Sequence, residues 1–544
     1  MKPLLARRHM LKMLTTAGLG ATISSHLSAA EVGAKDKAAT PLPEPSPFAK
    51  GGKNNCVTDF GAVADGKTLT TGALQKAIDD CAAAGGGTVT VPPGVYLTHT
   101  IFLKSGVHLH LQKNAVILGD TNPKAFTGAV IHADKIENAA LTGPGVINGQ
   151  GSPKYFPPKG PRHHDLLLFQ CKNITVSDVT LLDAPSWVFR IRECDGVKVR
   201  GVKVYSYINQ NNDGIDIDAK NVTISDCIIE SEDDGICLKS DNPDFLVENI
   251  TITNCLIATN CNAIKFGTSS KGGFKNIAIS NCVIHWPAEA GKVPPRTSLK
   301  GCEVDAIAEV GLALEVVDGG HMEQVNVSNL AMTGIQTPLF IRLGNRKGPG
   351  SLKNVVISHI TATDETMLSS AITGIPGSYV EDVILKDLVF NCKGTATLTE
   401  ADATVPEKIN AYPQTNLIFG YSVPAFGLYA RHVRGLIVEN FIFRLRQPDA
   451  RPAVVLDDCH NVQLRNFDAA VPTHEQALIR IKQSSQVTIS GYQSAAKPAA
   501  FVQVEGAATQ GIKLAANDLT QIREVIRTRD GGATGAVKLV GNFE

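Results

Sequence analysis

Aromatic residues are scarce in this chain: 6% of its 544 residues, with 2 Trp, 9 Tyr and 19 Phe. Net charge is absent, because 52 Lys+Arg balance 52 Asp+Glu. A nucleic-acid binder needs a basic footprint, so this balance argues against one. It argues equally against a polybasic membrane-surface protein. No apolar run reaches the about 18 residues that suggest a membrane span. Cysteine, at 12 residues, is too dilute for a disulfide scaffold. No convincing C-x-x-C pair suggests a zinc ribbon. What remains is 43% apolar and 19% charged, enough to bury a large core. Length alone suggests about three or four domains, a prior that fails for a repeat protein.

Residues 1–30 have the layout of an export signal. Arg7 and Arg8 precede a modest apolar stretch, Leu14 to Ile23, and Ser28-Ala29-Ala30 offers a cleavage site. Paired arginines resemble a twin-arginine signal. Residues 31–53, with the run PLPEPSPF, read as a linker. The expected location is periplasmic or secreted, with one domain over residues 54–544.

A repeat organises that domain. NITVSDV at Asn173, GVKVRGV at Gly196, NVTISDC at Asn221, NITITNC at Asn249 and NIAISNC at Asn276 share one pattern. Their starts are 23, 25, 28 and 27 residues apart. Further copies begin at Asn354, Asp382, Gly435, Asn461 and Gln486. Alternation of apolar and polar residues marks strands with one buried face. A period of about 20–30 residues without intervening helices marks a solenoid, here a right-handed parallel β-helix. Cys194, Cys227, Cys255 and Cys282 fall near equivalent turns and predict a ladder of buried thiols. The asparagines predict turns whose amides bond the backbone. The segment from Thr70 to Gly87 has helical spacing and is expected to cap the first coil.

Two motifs break the repeat: NQNNDGIDID (Asn209 to Asp218) and SEDDGICLKS (Ser231 to Ser240). Aligning Ile215/Ile217 with Ile236/Leu238 stacks Asp213 over Asp234, 21 residues or one coil apart, with Asp233 beside them. The next coil puts Asn262 in the same column. An alternate column collects Asp216, Asp218, Lys239, Lys265 and Glu315. Clustered carboxylates repel, so one holds a proton while another stays ionised. Glycoside hydrolysis needs that division between acid and base. A calcium site or a structural set of turn aspartates are the other readings.

These residues carry a resemblance. VTDFGAVADGKT at Val57, GPGVINGQG (Gly143 to Gly151), APSWVF around Trp187, Asn211-Asn212-Asp213 and Asp233-Asp234 are similar to motifs of polygalacturonase-type glycoside hydrolases, family 28. The resemblance spans roughly residues 54–470 and implies a metal-free, cofactor-free inverting hydrolysis. It implies that Asp233 is the general acid and that Asp213 and Asp234 activate water. Two departures stand out. The family's G-H-G aligns with Cys261-Asn262-Ala263, and its R-I-K with Ala313-Leu314-Glu315. The family's Arg and Lys hold a galacturonate carboxylate, which Ala313 cannot do and Glu315 would repel.

Candidates for substrate contact are therefore Asn211, Asn262, Lys265, Glu315, Arg342, Arg346 and His321. Lys265 either replaces a missing cation or pairs with Glu315. Arg342 and Arg346 serve an acidic subsite or a solvated loop, and His321 the cleft or a surface turn. Trp187 is core or sugar platform, and His163-His164 at most touch the rim. The expected protein is a secreted monomer acting on a pectic or related poly- or oligosaccharide, and not a strict homogalacturonan polygalacturonase. A β-helical polysaccharide lyase and a non-catalytic glycan-binding solenoid are the alternatives. Loops 284–304 and 394–426 carry no readable pattern.

Overall fold

The computed structural model describes residues 52–287 and 307–543. The expected export signal at 1–30, nearly all of the expected linker and most of loop 284–304 lie outside the described residues. The rest is a right-handed parallel β-helix. Every pairing between its strands is parallel, and three runs of stacked side chains fill its interior. One run is Phe189, Ile215, Ile236, Ile264, Leu312 and Leu339. A second is Val197, Val222, Ile250, Ile277, Val325 and Val355. The third is Val204, Ile229, Ile257, Ile284, Met332 and Ala362. All are buried. Each coil adds aliphatic side chains worth about 1.5–3 kcal/mol apiece on burial.

The residues that open each repeat turn the chain. Asn173, Asn221, Asn249, Asn276, Asn354 and Asn461 all have φ between 52° and 57°, the left-handed region that asparagine tolerates. A copy unread in the sequence starts at Gln324 (φ 57°). The amides do not bond the backbone as expected. They bond one another between coils: Asn249 Nδ2 donates to Asn221 Oδ1 at 3.0 Å, and Asn276 Nδ2 to Asn249 Oδ1 at 2.7 Å. Stacking of identical turns puts each amide's donor over the next one's acceptor.

The thiol ladder also differs in one member. Cys227, Cys255 and Cys282 do stack, and the column continues through Leu330, Ile360, Leu388, Phe441, Phe467 and Tyr492. Phe441 and Phe467 lie parallel, 4.7 Å between centroids. Cys194 belongs to another turn, where its Sγ accepts from the Cys171 amide at 3.3 Å. All described cysteines are free thiols. The expected cap forms as helix Thr71–Ala83, burying Leu74, Ala77, Ile78 and Cys81 against the first coil. Among the described residues no helix is long and apolar enough to cross a membrane.

Candidate active site

The site lies on the outer side of the first run. Asp213 and Asp234 each precede a glycine that lets consecutive turns stack in near contact. A Cβ on Gly214 would lie 2.5 Å from Gly235 O, and one on Gly235 2.6 Å from Ala263 O. Gly214 N donates to Asp234 O and Gly235 N to Asn262 O, both at 2.8 Å. These bonds set Asp213, Asp234 and Asn262 one above another, as the sequence alignment required. The turns are pinned from behind. Asn212 Nδ2 donates to Ala184 O and Ser186 O at 2.7 and 2.9 Å, and Ser231 Oγ to Asp233 O and Asp234 O at 3.0 and 3.2 Å.

Two lysines thread the carboxylates. Lys239 Nζ lies 3.0 Å from Asp213, 3.1 Å from Asp216 and 4.0 Å from Asp234. Lys265 Nζ lies 3.2 Å from Asp234 and 3.9 Å from Glu315. Of the two expectations for Lys265, pairing with Glu315 is the one seen, and its ammonium lies closer still to Asp234. Lys265 stands in register with Asp216, Cys237 and Ala313. Lys239, Asp218 and Glu315 come two residues further along their strands. The single alternate column read from the sequence is therefore two rows.

The electrostatics divide the aspartates. Burial would raise Asp234, but Lys265, Lys239 and the Asn262 amide (2.7 Å) overcome it and hold the carboxylate below its usual range. Asp213 goes the other way. Burial and then neighbouring Asp233 push it well up, and Lys239 only partly offsets them. One ammonium cannot neutralise both Asp213 and Asp216, and Asp216 is raised by burial as well. Glu315 is pushed up to about 8 by burial against the pull of Lys265. That shift weakens the repelling charge expected of it. Asp233 accepts from Asn211 Nδ2 at 3.1 Å, while Asn211 Oδ1 accepts from Arg162 at 3.0 Å.

The remaining candidates scatter. Arg346 forms a two-bond pair with Asp318 (2.6 and 2.8 Å) and lies 5.5 Å from the Tyr412 ring, which Lys265 also faces at 5.9 Å. Arg342 does not reach an acidic subsite. It is buried, donating to Thr373 Oγ1 and to the carbonyls of Gly374, Glu407 and Lys408. Its work is to hold the segment that follows Lys393. His321 is exposed and shares a bond with Ser351 Oγ at 2.9 Å, the arrangement of a surface turn. Trp187 is half-buried, with Lys239 and Arg190 each 5.1 Å from its ring and His164 stacked on it at 5.8 Å. It walls the cluster rather than filling the core.

Sequence reasoning puts Lys239 in a column without giving it a role, and it omits Tyr412. The alternation in ICLKS places Lys239 opposite the inward Ile236 and Leu238, which is the available signal for a site residue. Nothing local announces Tyr412. Asp233, Asp234 and Cys261 offer donor atoms within 4.8 Å of one another, the one such trio among the described residues. Two ammonium groups already face Asp234 Oδ2 there.

Residues 81–285 match the model of glycosyl hydrolases family 28. The match takes in 205 of the 544 residues and says what that stretch of the chain is similar to. The chain is 31% identical to a probable polygalacturonase of Arabidopsis thaliana over 42% of this chain and 51% of the relative. It is 30% identical to rhamnogalacturonase A of Emericella nidulans, over 35% of this chain and 38% of that one. The chain thus spans about half or less of the curated relatives it matches. An exopolygalacturonase from Thermotoga maritima superposes with a TM-score of 0.55 at 20% identity, over 71% of this chain and 92% of that one. A tailspike protein of Escherichia coli bacteriophage HK620 gives 0.55 at 14% identity, over 90% and 80%. These two likenesses speak to the fold alone.

Proposed function

We propose that this chain is a secreted glycoside hydrolase, similar to family 28, that cleaves a pectic or related glycan, with Asp233 as general acid and Asp234 as base. The observation that carries the reading is the division within one stacked cluster: Asp234 held ionised, Asp213 pushed toward protonation beside Asp233. Asp233 gives its proton to the departing glycosidic oxygen. Asp234 takes a proton from the water that attacks the anomeric carbon. Asp213 is expected to share the base's work; burial and Asp233 push it toward protonation, so this reading gives the base's part to Asp234.

The sugar beside the scissile bond is neutral in this reading, such as rhamnose or galactose. Ala313 and Glu315 replace the family's cations, and Lys239 and Lys265 are committed to buried carboxylates. That rhamnogalacturonases stand among the relatives agrees with a pectic substrate other than homogalacturonan. The segment 393–427 supports exo action or action on short chains. It lies across the sheet on the C-terminal side of the cluster, anchored by Arg342, by Thr415 Oγ1 to Glu309 (2.9 Å) and by Phe419 against Phe340 (5.8 Å). Tyr412, on this segment, stands beside Lys265 and closes that end.

Inversion rests on the family resemblance. A carboxylate oxygen of Asp233 and one of Asp234 lie within 4.8 Å of each other, near the about 5–5.5 Å of a retaining pair rather than the about 6.5–9.5 Å of an inverting one. The product anomer therefore decides it. The test is reducing-end release on a panel of pectic fractions, with chelator present and the anomer followed by NMR. Hydrolysis predicts chelator-insensitive release of reducing ends; an inverted product supports the stereochemistry the resemblance implies, and a retained one the short Asp233–Asp234 approach. An unsaturated, ultraviolet-absorbing product points to a lyase, and binding without turnover to a glycan-binding solenoid. Either outcome defeats the proposal.

A further inference from the structure

Between the segment 393–427 and the same face of the sheet lies a cavity of about 230 Å³. It begins five strands past the one that follows Asp234, counting Ile236–Ser240, Asn262–Ser270, Ala308–Val316, His321–Leu343, Ser370–Thr373 and Leu428–Leu445. At about 4.8 Å per strand that is roughly 24 Å away, and the cavity continues for several strands more.

One register row builds its wall. Arg431, Asp457, Lys482, Glu505 and Arg529 are direct neighbours on five successive strands. Their charges alternate in sign, so each has an opposite partner on the next coil. Two residues back along the strands lie Tyr429, Val455 and Arg480, which also line the cavity. The segment 393–427 supplies the facing wall. Arg480 donates to Ala401 O at 2.7 Å, Arg431 to Val405 O at 2.7 Å, and Arg529 to Asp402 at 2.8 Å.

Two guanidinium N–H groups in this wall are held by ion pairs rather than by hydrogen bonds. Arg480 is only 7% exposed, and its Nε, though 3.1 Å from Glu505 Oε1, makes no hydrogen bond. Arg431 Nε, 3.5 Å from Asp457, makes none either. These contacts fix the two guanidinium planes along the wall, so the polar groups around the cavity are held in place before anything binds. The lining holds as many carboxylates as cations, so it has no net attraction for a polyanion. Alternating guanidinium and carboxylate groups suit neighbouring hydroxyls, which both donate and accept. The volume fits one pyranose ring and is smaller than a drug-sized pocket.

We propose that this cavity is a second, non-catalytic binding site for a neutral sugar residue, engaging polysaccharide at a distance from the hydrolytic cluster. It rests on the hydrolase reading only for the choice of polymer. The test uses the full chain carrying Asp233→Asn, so that binding is measured without turnover, and debranched rhamnogalacturonan as the probe in isothermal titration. Thr404→Trp fills the cavity mouth from an exposed position; Arg480→Gln removes the buried donor. The proposal expects Thr404→Trp to weaken polymer binding about tenfold, the equivalent of one good contact, and trisaccharide binding at the cluster to be unchanged. In the active enzyme, the same change raises KM for polymer, leaving kcat and the trisaccharide KM alone. Unchanged polymer affinity in Thr404→Trp overturns the proposal, and so does equal loss for polymer and trisaccharide. If no pectic fraction is hydrolysed but the polymer still binds and Thr404→Trp weakens it, the hydrolase reading fails while this site stands.

Discussion

Lys265→Met tests how the cluster keeps a base. Lys265 is 2% exposed and its ammonium lies 3.2 Å from Asp234. At an effective dielectric of about 20, such a pair attracts by roughly 5 kcal/mol before desolvation is counted. Removing one partner of a buried pair costs about 3–5 kcal/mol, because the other charge stays behind. The sign follows from the direction of the shift. A carboxylate held below 3.8 contributes stability that is present above that pH and lost as pH falls through the depressed value. Without Lys265, burial dominates and Asp234 retains its proton to higher pH. The acid limb of kcat/KM therefore moves upward, and the variant is less stable near neutral pH than the wild type. A pH profile of kcat/KM together with thermal melts reads both effects. An acid limb in the wild-type place, with an unchanged melt, would refute the role given to Lys265.

Glu315→Gln probes the buried acid beside it. A group raised from 4.5 to about 8 contributes stability that is complete below the lower value and lost as pH rises through the upper one. The glutamine variant should match wild type in melts near pH 5 and exceed it at pH 9. Equal melts at both would show that Glu315 ionises freely. Tyr412→Ala opens the end of the cleft beside Lys265. Chromatography of early products should show a shift from single sugars or short fragments toward longer ones; an unaltered product pattern would mean that Tyr412 does not limit the cleft.

Much of this was legible because a solenoid repeats its physics. Alternating apolar residues, as in NVTISDC at Asn221 and NITITNC at Asn249, can face inward only as strands. One-coil spacing then stacks Asp213 over Asp234 without further information. The asparagine ladder was half-legible: the turn follows from residue type, but the choice of amide partner depends on which turns lie directly above one another. Cys194 was misassigned for the same reason, since the coil has more than one turn and spacing alone does not say which. Arg342 and Tyr412 were beyond reach. Their environment is made by the segment 393–427, which has no period, and its position depends on tertiary anchors more than 60 residues away in sequence, such as Arg342 to Glu407 and Lys408 at 65 and 66 residues. The unequal fates of Asp213 and Asp234 likewise depend on lysines from neighbouring coils.

The central claim is that Asp233 delivers a proton to a glycosidic oxygen. The most direct measurement is reducing-end release by Asp233→Asn against wild type on a pectic fraction that the wild type cleaves, with melts to verify the fold. Loss of a general acid predicts a fall of about 10²–10⁴-fold in kcat with an unchanged melt. Full activity in Asp233→Asn would contradict the account.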